Sequence, residues 1–305
     1  MKAVPPELLR APFTVAHAAE LGLSADVLRG RRFRAPFPGV RVPATLPDTL
    51  QTRCAAAALV LAPVAAFSHE TAALLHGLPT PFGTDPFPMH ASLPAGSVAP
   101  QIAGITAHRV QWARDDVVLR RGLRVTSSAR TWCDLASRGW QTCDLVVCAD
   151  FMLRWQGPRG RELLAAATAR WGGRRGAVAL RAALALAEFR VDSPMETRLR
   201  LLLIQAGLPV PQVNCPVRDA DGVILHTPDL SWPRWRVAVD YDGAHHFVAG
   251  GEQGDWRRRQ DAARQELLQE EGWTLRIMTA ADVLRRPHQA VERTTRALLA
   301  AGARW

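Results

Sequence analysis

Residues 227–247 read Thr-Pro-Asp-Leu-Ser-Trp-Pro-Arg-Trp-Arg-Val-Ala-Val-Asp-Tyr-Asp-Gly-Ala-His-His-Phe, and this stretch decides the fold of the last third of the chain. From Trp235 to Asp242 the β-branched and aromatic content is that of a strand. Successive side chains on a strand point to opposite faces, so Asp240 and Asp242 are expected on one face, about 7 Å apart. Asp229 ends a neighbouring β-like run, directly after Pro228. Three carboxylates converging at strand ends suit a hard cation such as Mg²⁺ or Mn²⁺, which takes oxygen ligands and keeps several waters. Without a cation the acids repel one another, and at least one pKa is expected to rise. Phosphodiester hydrolysis uses such a cluster to polarise a phosphoryl oxygen and activate a water. Gly243 lets backbone approach closely, and His245 and His246 follow. An imidazole there has the chemistry to protonate a leaving oxygen.

Working outward, Asp192-Ser193-Pro194 opens this region with a helix start. Ser193 is a good N-cap, Pro194 fits the first helical position, and Glu196 completes an S-x-x-E capping box. Glu196 therefore reads either as a cap alone or as a further acid of the site. Met195, Leu199, Leu202 and Ala206 fall on one helical face, and Gly207 ends the helix. β-like runs at 212–218 and 223–229 flank the turn Asp219-Ala-Asp-Gly222, whose acids read as turn residues. A charged helix over 255–271, a strand over 273–278 and a closing helical segment follow. Arg257, Arg258 and Arg259 form either a solvated face or a phosphate grip. Trp232 and Trp235 read as packing residues. Helix, three strands, helix, strand is an α/β order with a mixed sheet.

The phrase TPDLSWPRWRVAVDYDGAHHF, with SPMETRLR before it and RRQDAARQELLQEEGWTLRIMTAADV after it, resembles the PD-(D/E)xK nuclease superfamily. Within that superfamily it is similar to a bacterial branch related to the very-short-patch repair endonucleases. The resemblance covers about 110 residues. It implies a restriction-endonuclease-like domain in which Asp229 is the aspartate of the "PD" element and Asp240 the acid of (D/E)xK. Glu196 matches the acid on the first helix. Asp242 stands where the superfamily has lysine, and the chain's single lysine is Lys2. Related branches also place another residue there. The repair enzymes carry a histidine four residues after the glycine, which here is Phe247, so His246, or else His245, is the substitute.

The chain has 305 residues, 48% of them hydrophobic, which favours two units with ordinary cores. No signal peptide and no uncharged apolar run of membrane-spanning length is present, so a cytoplasmic protein is expected. Cys54, Cys133, Cys143, Cys148 and Cys215 lack zinc-finger spacing and read as small hydrophobes in a reducing compartment. His69, His76, His90 and His108 are scattered with no metal spacing and read as core or surface histidines. Neither GxGxxG nor GxxxxGK[ST] occurs, which removes support for a nucleotide-dependent enzyme. The net charge of +10 lies wholly before residue 191, since from there on 15 Arg face 15 acidic residues. A basic module joined to a neutral one points to a polyanionic partner.

Near the start, residues 14–20 read as a helix, Leu21-Gly22-Leu23 as a turn, and Ser24 as the cap of a second helix through Arg29. RGRRFRAPFPGVRV follows, with Phe37-Pro-Gly39 turning the chain into a β-like run at 40–42. That is the order of a winged helix-turn-helix, whose second helix and basic wing meet duplex DNA. Arg29, Arg31, Arg32, Arg34 and Arg41 are the candidate contacts, the alternative being a solvated basic loop. Helices are expected over 51–61, 68–76 and 126–138, short strands over 86–126, and helices over 141–155, 160–170 and 176–189. PGVRV, AAFSHETAALLHGLP and GLRVTSSARTWCDLA, taken with the basic helix-turn-helix, resemble a bacterial family related to the AbiEi-type antitoxins of abortive-infection systems. The resemblance spans about 130 residues and implies a DNA-binding, regulator-like module. The expected organisation is a winged-helix region at 1–80, a mixed β then helical region at 81–190, and the endonuclease-like domain at 191–305. The expected function is metal-dependent cleavage of DNA, the alternative a DNA-binding regulator or antitoxin-like protein with an idle nuclease fold.

Overall fold

A computed structural model describes residues 4–243 and 265–305 and has the expected mixed α/β character. The chain divides into two compact units, Met1–Asp144 with Leu163–Arg181, and Leu145–Glu162 with Ala182–Trp305. This corrects the expected boundaries. Strand β4 (Ala66–Phe67) pairs with β5 (Met89–Pro94) on one side and β8 (Leu123–Thr126) on the other, so a border at residue 80 would cut through one sheet. Helix α6 (Thr142–Arg170) supplies residues to both units, so the border at 190 is displaced as well. Its dihedrals break at Gly157 (φ 57°, ψ −145°), directly before Pro158. Proline removes a helical donor and pushes the preceding residue out of the helical region, and glycine alone takes such a φ without strain.

In the first unit, α1 (Val15–Glu20) is capped by Thr14, whose hydroxyl accepts the His17 N–H, and α2 (Ala25–Arg29) follows after a short turn. Strands β1 (Phe13–Thr14), β2 (Phe33–Arg34) and β3 (Val40–Pro43) form a small sheet in the order β1-β3-β2. Leu8, Phe13, Ala18, Leu23, Leu28 and Phe33 make its core, with Phe13 and Phe33 edge-to-face at 5.4 Å. A five-stranded sheet follows in the order β6-β5-β4-β8-β7, where β6 is Ile105–Val110 and β7 is Val117–Arg120. Helices α3 (Leu50–Ala58), α4 (His69–His76) and α5 (Ser128–Ser137) accompany it. α4 ends where expected, at Gly77 with φ 72°. The positions of these elements match the helical and β-like runs of the sequence to within a few residues.

α7 (Ala177–Leu186) gives its residues from Ala182 to the second unit, where Arg200 of α8 (Pro194–Gln205) donates to the Leu186 carbonyl at 2.9 Å, and a mixed sheet runs in the order β14-β13-β12-β9. Here β9 is Gln212–Val213, β12 Leu230–Trp232, β13 Val237–Asp242 and β14 Thr274–Thr279. β13 pairs antiparallel with β12 and parallel with β14. A separate hairpin joins β10 (Val217–Arg218) to β11 (Ile224–His226) around the expected turn at Asp219. Val237 and Val239 pack with Leu199, Leu203, Leu230, Trp232 and Met278 on one face, whereas Ala238 packs with Val217, Leu268 and Leu275 on the other. A strand buried on both faces reads as a continuous apolar run, which is why Val-Ala-Val precedes Asp240. Each such buried aliphatic side chain contributes roughly 1.5–3 kcal/mol. Helical residues 265–270 are the described end of the expected charged helix, and α9 (Ala280–Leu284) and α10 (Pro287–Ala300) close the chain. His245, His246 and Arg257 to Arg259 lie outside the described residues.

Candidate active site

The second unit is built so that α8 holds its first turn against the acids of the sheet. Asp150 of α6 is buried and accepts from the Thr197 hydroxyl at 2.8 Å, Arg200 Nη2 at 2.9 Å and the Glu188 N–H at 2.7 Å. Those bonds fix α8 one turn below Glu196. The Ser193 hydroxyl accepts the Glu196 N–H at 3.2 Å, and Glu196 Oε2 accepts the Asp192 N–H at 2.9 Å. Glu196 is therefore a true cap, as the S-x-x-E spacing suggested.

Asp229 does not end the strand before it. It stands at the entrance to β12, where Leu230 lies opposite Val239 and the register brings Asp229 alongside Asp240. The Asp229 N–H donates to Asp240 Oδ1 at 3.3 Å, and the Tyr241 N–H donates to Asp229 Oδ2 at 2.6 Å. Burial pushes the Asp229 carboxyl up to about 7, the charge of Glu196 adds to this, and Asp240 and Asp192 contribute further. The Tyr241 N–H pulls in the other direction. The elevated pKa expected at one of the clustered acids has desolvation, rather than repulsion, as its principal cause. Alternation along β13 places Asp240 and Asp242 on the Ala238 face, and burial, with the Asp242 charge adding to it, raises the Tyr241 hydroxyl. The largest charges acting on Asp229 are those of Glu196, Asp240 and Asp192.

Asp240 also meets a side chain that the linear sequence did not single out. His226, at the end of β11, places Nε2 2.7 Å from Asp240 Oδ2, and both side chains are largely buried. The only hint in the sequence is a histidine just ahead of Thr-Pro-Asp; the pairing across 14 residues appears only with the strand register. Trp232 packs in the core with Nε1 donating to the Pro209 carbonyl at 2.7 Å, and Trp235 packs against the same core.

The five candidate DNA-contacting arginines separate in the first unit. Arg31 and Arg32 are exposed, and Arg29 is exposed and paired with Asp26. Arg34 Nη2 donates to the Leu46 carbonyl at 2.7 Å, with Nη1 3.2 Å from Asp48. Arg41 Nε donates to the Leu28 carbonyl at 2.8 Å. Arg34 and Arg41 hold the ribbon to its neighbours. α2 has only 5 residues, which makes it short for a groove-filling helix.

Among the described residues, the group of three or more histidine, cysteine or acidic ligand atoms within 4.8 Å of one another is His69, His90 and His108; neither the aspartate trio nor Asp229, Asp240 and Glu196 comes within that distance as it stands. This corrects the reading of those histidines as scattered: α4, β5 and β6 bring them together. Burial depresses all three imidazoles, His69 to about 2 and His108 to about 4. His76 stays apart, its Nε2 2.7 Å from the Thr126 carbonyl. The five cysteines form no disulfide. No described helix is long and apolar enough to cross a membrane.

Two relatives carry recognisable sequence. They are the uncharacterized proteins MT2308 and Rv2248 of Mycobacterium tuberculosis, strains CDC 1551 / Oshkosh and ATCC 25618 / H37Rv, each 33% identical over 121 residues. The match takes in 40% of this chain and 42% of each relative, so the chain spans less than half the length of the curated relatives it matches. No family model matches, and no solved structure matches.

Proposed function

We propose that the second unit is a metal-dependent phosphodiesterase domain acting on duplex DNA, with Asp229, Asp240 and Glu196 as its acids. The observation that carries this reading is the register of β12 and β13, which sets Asp229 beside Asp240 with the Asp229 N–H donating to Asp240 Oδ1 at 3.3 Å. Burial, and the nearby charges of Glu196, Asp240 and Asp192, push the Asp229 carboxyl up to about 7. A fold that gathers acids around a buried carboxyl carries a cost that a bound cation relieves. The donor chemistry fits Mg²⁺ or Mn²⁺, because the groups are carboxylate oxygens. Asp229, Asp240 and Glu196 would hold the ion, with Asp242 at the open end of β13. Bound there, the ion supplies charge to a phosphoryl oxygen and acidity to a coordinated water.

The chain's own groups have separate tasks. Asp240 orients His226 through the 2.7 Å contact, which fixes the ring and sets which nitrogen carries the proton. Asp229 keeps its place through the Tyr241 N–H. Proton delivery to the leaving oxygen falls to an imidazole, since the chain has no lysine beyond Lys2. His226 and His246 are the two candidates. The exposed Arg31 and Arg32 of the first unit bind backbone phosphate.

A second reading rests on a different observation. Both Asp240 oxygens are already engaged, by His226 and by the Asp229 N–H. A carboxylate held this way serves a fold as readily as a cation, and the protein would then be a DNA-binding, antitoxin-like regulator with an idle nuclease scaffold. Incubation of the whole protein with supercoiled, linear and nicked duplexes in Mg²⁺, Mn²⁺ or EDTA separates the two. Metal-dependent strand scission that disappears in Asp229→Asn supports the first; binding without scission in any metal supports the second.

A further inference from the structure

We propose that His69, His90 and His108 form a site for a borderline divalent transition-metal ion such as Zn²⁺, separate from the carboxylates of the second unit. A ring nitrogen from each residue lies within 4.8 Å of the other two. His90 Nδ1 and His108 Nε2 are 2.9 Å apart, and the His69 and His108 rings stack with centroids 4.0 Å apart. Nitrogens sharing a tetrahedral Zn²⁺ at about 2.0–2.1 Å are roughly 3.4 Å from one another, so His90 and His108 would open by about 0.5 Å and His69 would settle to the same spacing to receive one.

The placement is fixed by backbone rather than by chance rotamers. His90 and His108 lie on the same face of the parallel pair β5 and β6, where Ser92 is the register partner of His108. The His90 N–H donates to Thr71 Oγ1 at 2.8 Å, and the Ser68 N–H donates to the His90 carbonyl at 3.0 Å, which ties the start of α4 to β5. His69 opens α4 with φ 52°, in a left-handed conformation unusual for a non-glycine residue. That strain brings its ring to the other two, with Nδ1 2.9 Å from Ser68 Oγ.

Glu70 provides the outer contact that ligating histidines commonly have. Its Oε2 is 3.5 Å from His90 Nε2, the nitrogen opposite the one facing His108, and this buried oxygen has no hydrogen-bond partner. A carboxylate behind an imidazole fixes ring orientation and raises its basicity toward a metal. Trp140 Nε1 donates to Glu70 Oε1 at 3.3 Å and holds the carboxylate in place. Three imidazole donors favour Zn²⁺, Ni²⁺, Co²⁺ or Cu²⁺ over Mg²⁺, so the two sites sort ions by hardness. Bound there, the ion would pin α4, β5 and β6 together.

The test is Zn²⁺ titration of the full-length, chelator-stripped protein by calorimetry, repeated with Co²⁺ to read its visible spectrum. One Zn²⁺ per chain is expected, retained in Asp229→Asn and His246→Ala and lost in His90→Gln and His108→Gln. Glu70→Gln should bind about 10- to 100-fold more weakly. Should the histidine variants fail to fold, X-ray absorption of the Zn²⁺-loaded wild type decides, with three imidazoles expected around the metal. Zn²⁺ binding that is absent, or unchanged in both histidine variants, overturns the proposal, as does a metal shell containing sulfur or fewer than three imidazoles.

Discussion

His226 Nε2 lies 2.7 Å from Asp240 Oδ2, so an imidazole from a short hairpin strand meets the carboxylate of the central strand. The same Asp240 accepts the Asp229 N–H through its other oxygen. One carboxylate thus ties the hairpin, the entrance of β12 and the centre of the sheet together. His226→Ala removes a partner from a largely buried acid, and a hydrogen bond to a charged group is worth about 1.5–3 kcal/mol. Chemical denaturation should show a loss in that range. Cleavage, measured on supercoiled plasmid, should fall by about 10²- to 10⁴-fold if His226 is the proton-transfer group. Wild-type cleavage in His226→Ala beside a slow His246→Ala would move that role to His246.

The Asp229 carboxyl gives a pH signature. Its folded-state pKa is raised from 3.8 to about 7, so between those values the folded chain keeps a proton that the unfolded chain has released. Its contribution is fully present below the unfolded value and is lost as pH rises through about 7. Asp229→Asn abolishes that titration. In EDTA, the variant should gain on wild type by about 3 kcal/mol between pH 4 and pH 7. Urea midpoints across that range check this, and a constant difference between the two proteins would show that Asp229 titrates normally.

Arg130 makes a further demand on the first unit. It is 3% exposed and donates to Asp134 and Asp116, each at 2.9 Å. Arg130→Met takes the hydrogen-bonded cation from the buried Asp134 and leaves Asp116 with Arg170 at 3.5 Å, and breaking a buried pair from one side costs about 3–5 kcal/mol. Thermal and urea unfolding should report a loss of that size; a change below about 1 kcal/mol would mean that the acids simply take up protons.

Duplex binding should separate the arginines. Each phosphate contact contributes about −0.9 to the slope of log K against log salt. The double variant Arg31→Ala, Arg32→Ala should flatten the slope by nearly 2 on that basis. Arg34→Ala and Arg41→Ala should instead lower stability, because those side chains are engaged with the Leu46 and Leu28 carbonyls. Fluorescence anisotropy over a salt series tests this, and no duplex binding even at low salt would remove the first unit from DNA contact.

Where the sequence carried local information, it was readable. Ser193 and Glu196 announced the helix start, Gly77 a helix end, and Val-Ala-Val-Asp the central strand. Contacts between residues distant in sequence were not readable in the same way. His226 reaches Asp240 only through the fold, and the histidines at 69, 90 and 108 converge because β5 and β6 run parallel with α4 at their end. The β-like run 223–229 is continuous in composition and predicts Asp229 at the end of a strand; the chain instead breaks around Pro228, between β11 and β12. The division into units was hidden for a related reason, since α6 gives residues to both.

The most direct measurement of the central claim is plasmid cleavage by the full-length protein and its Asp229→Asn variant, with Mg²⁺, Mn²⁺ and EDTA in parallel. The account predicts nicked or linear product from the wild type in Mg²⁺ or Mn²⁺, none in EDTA, and none from the variant. A wild type that binds duplex yet leaves it intact in every metal would contradict it.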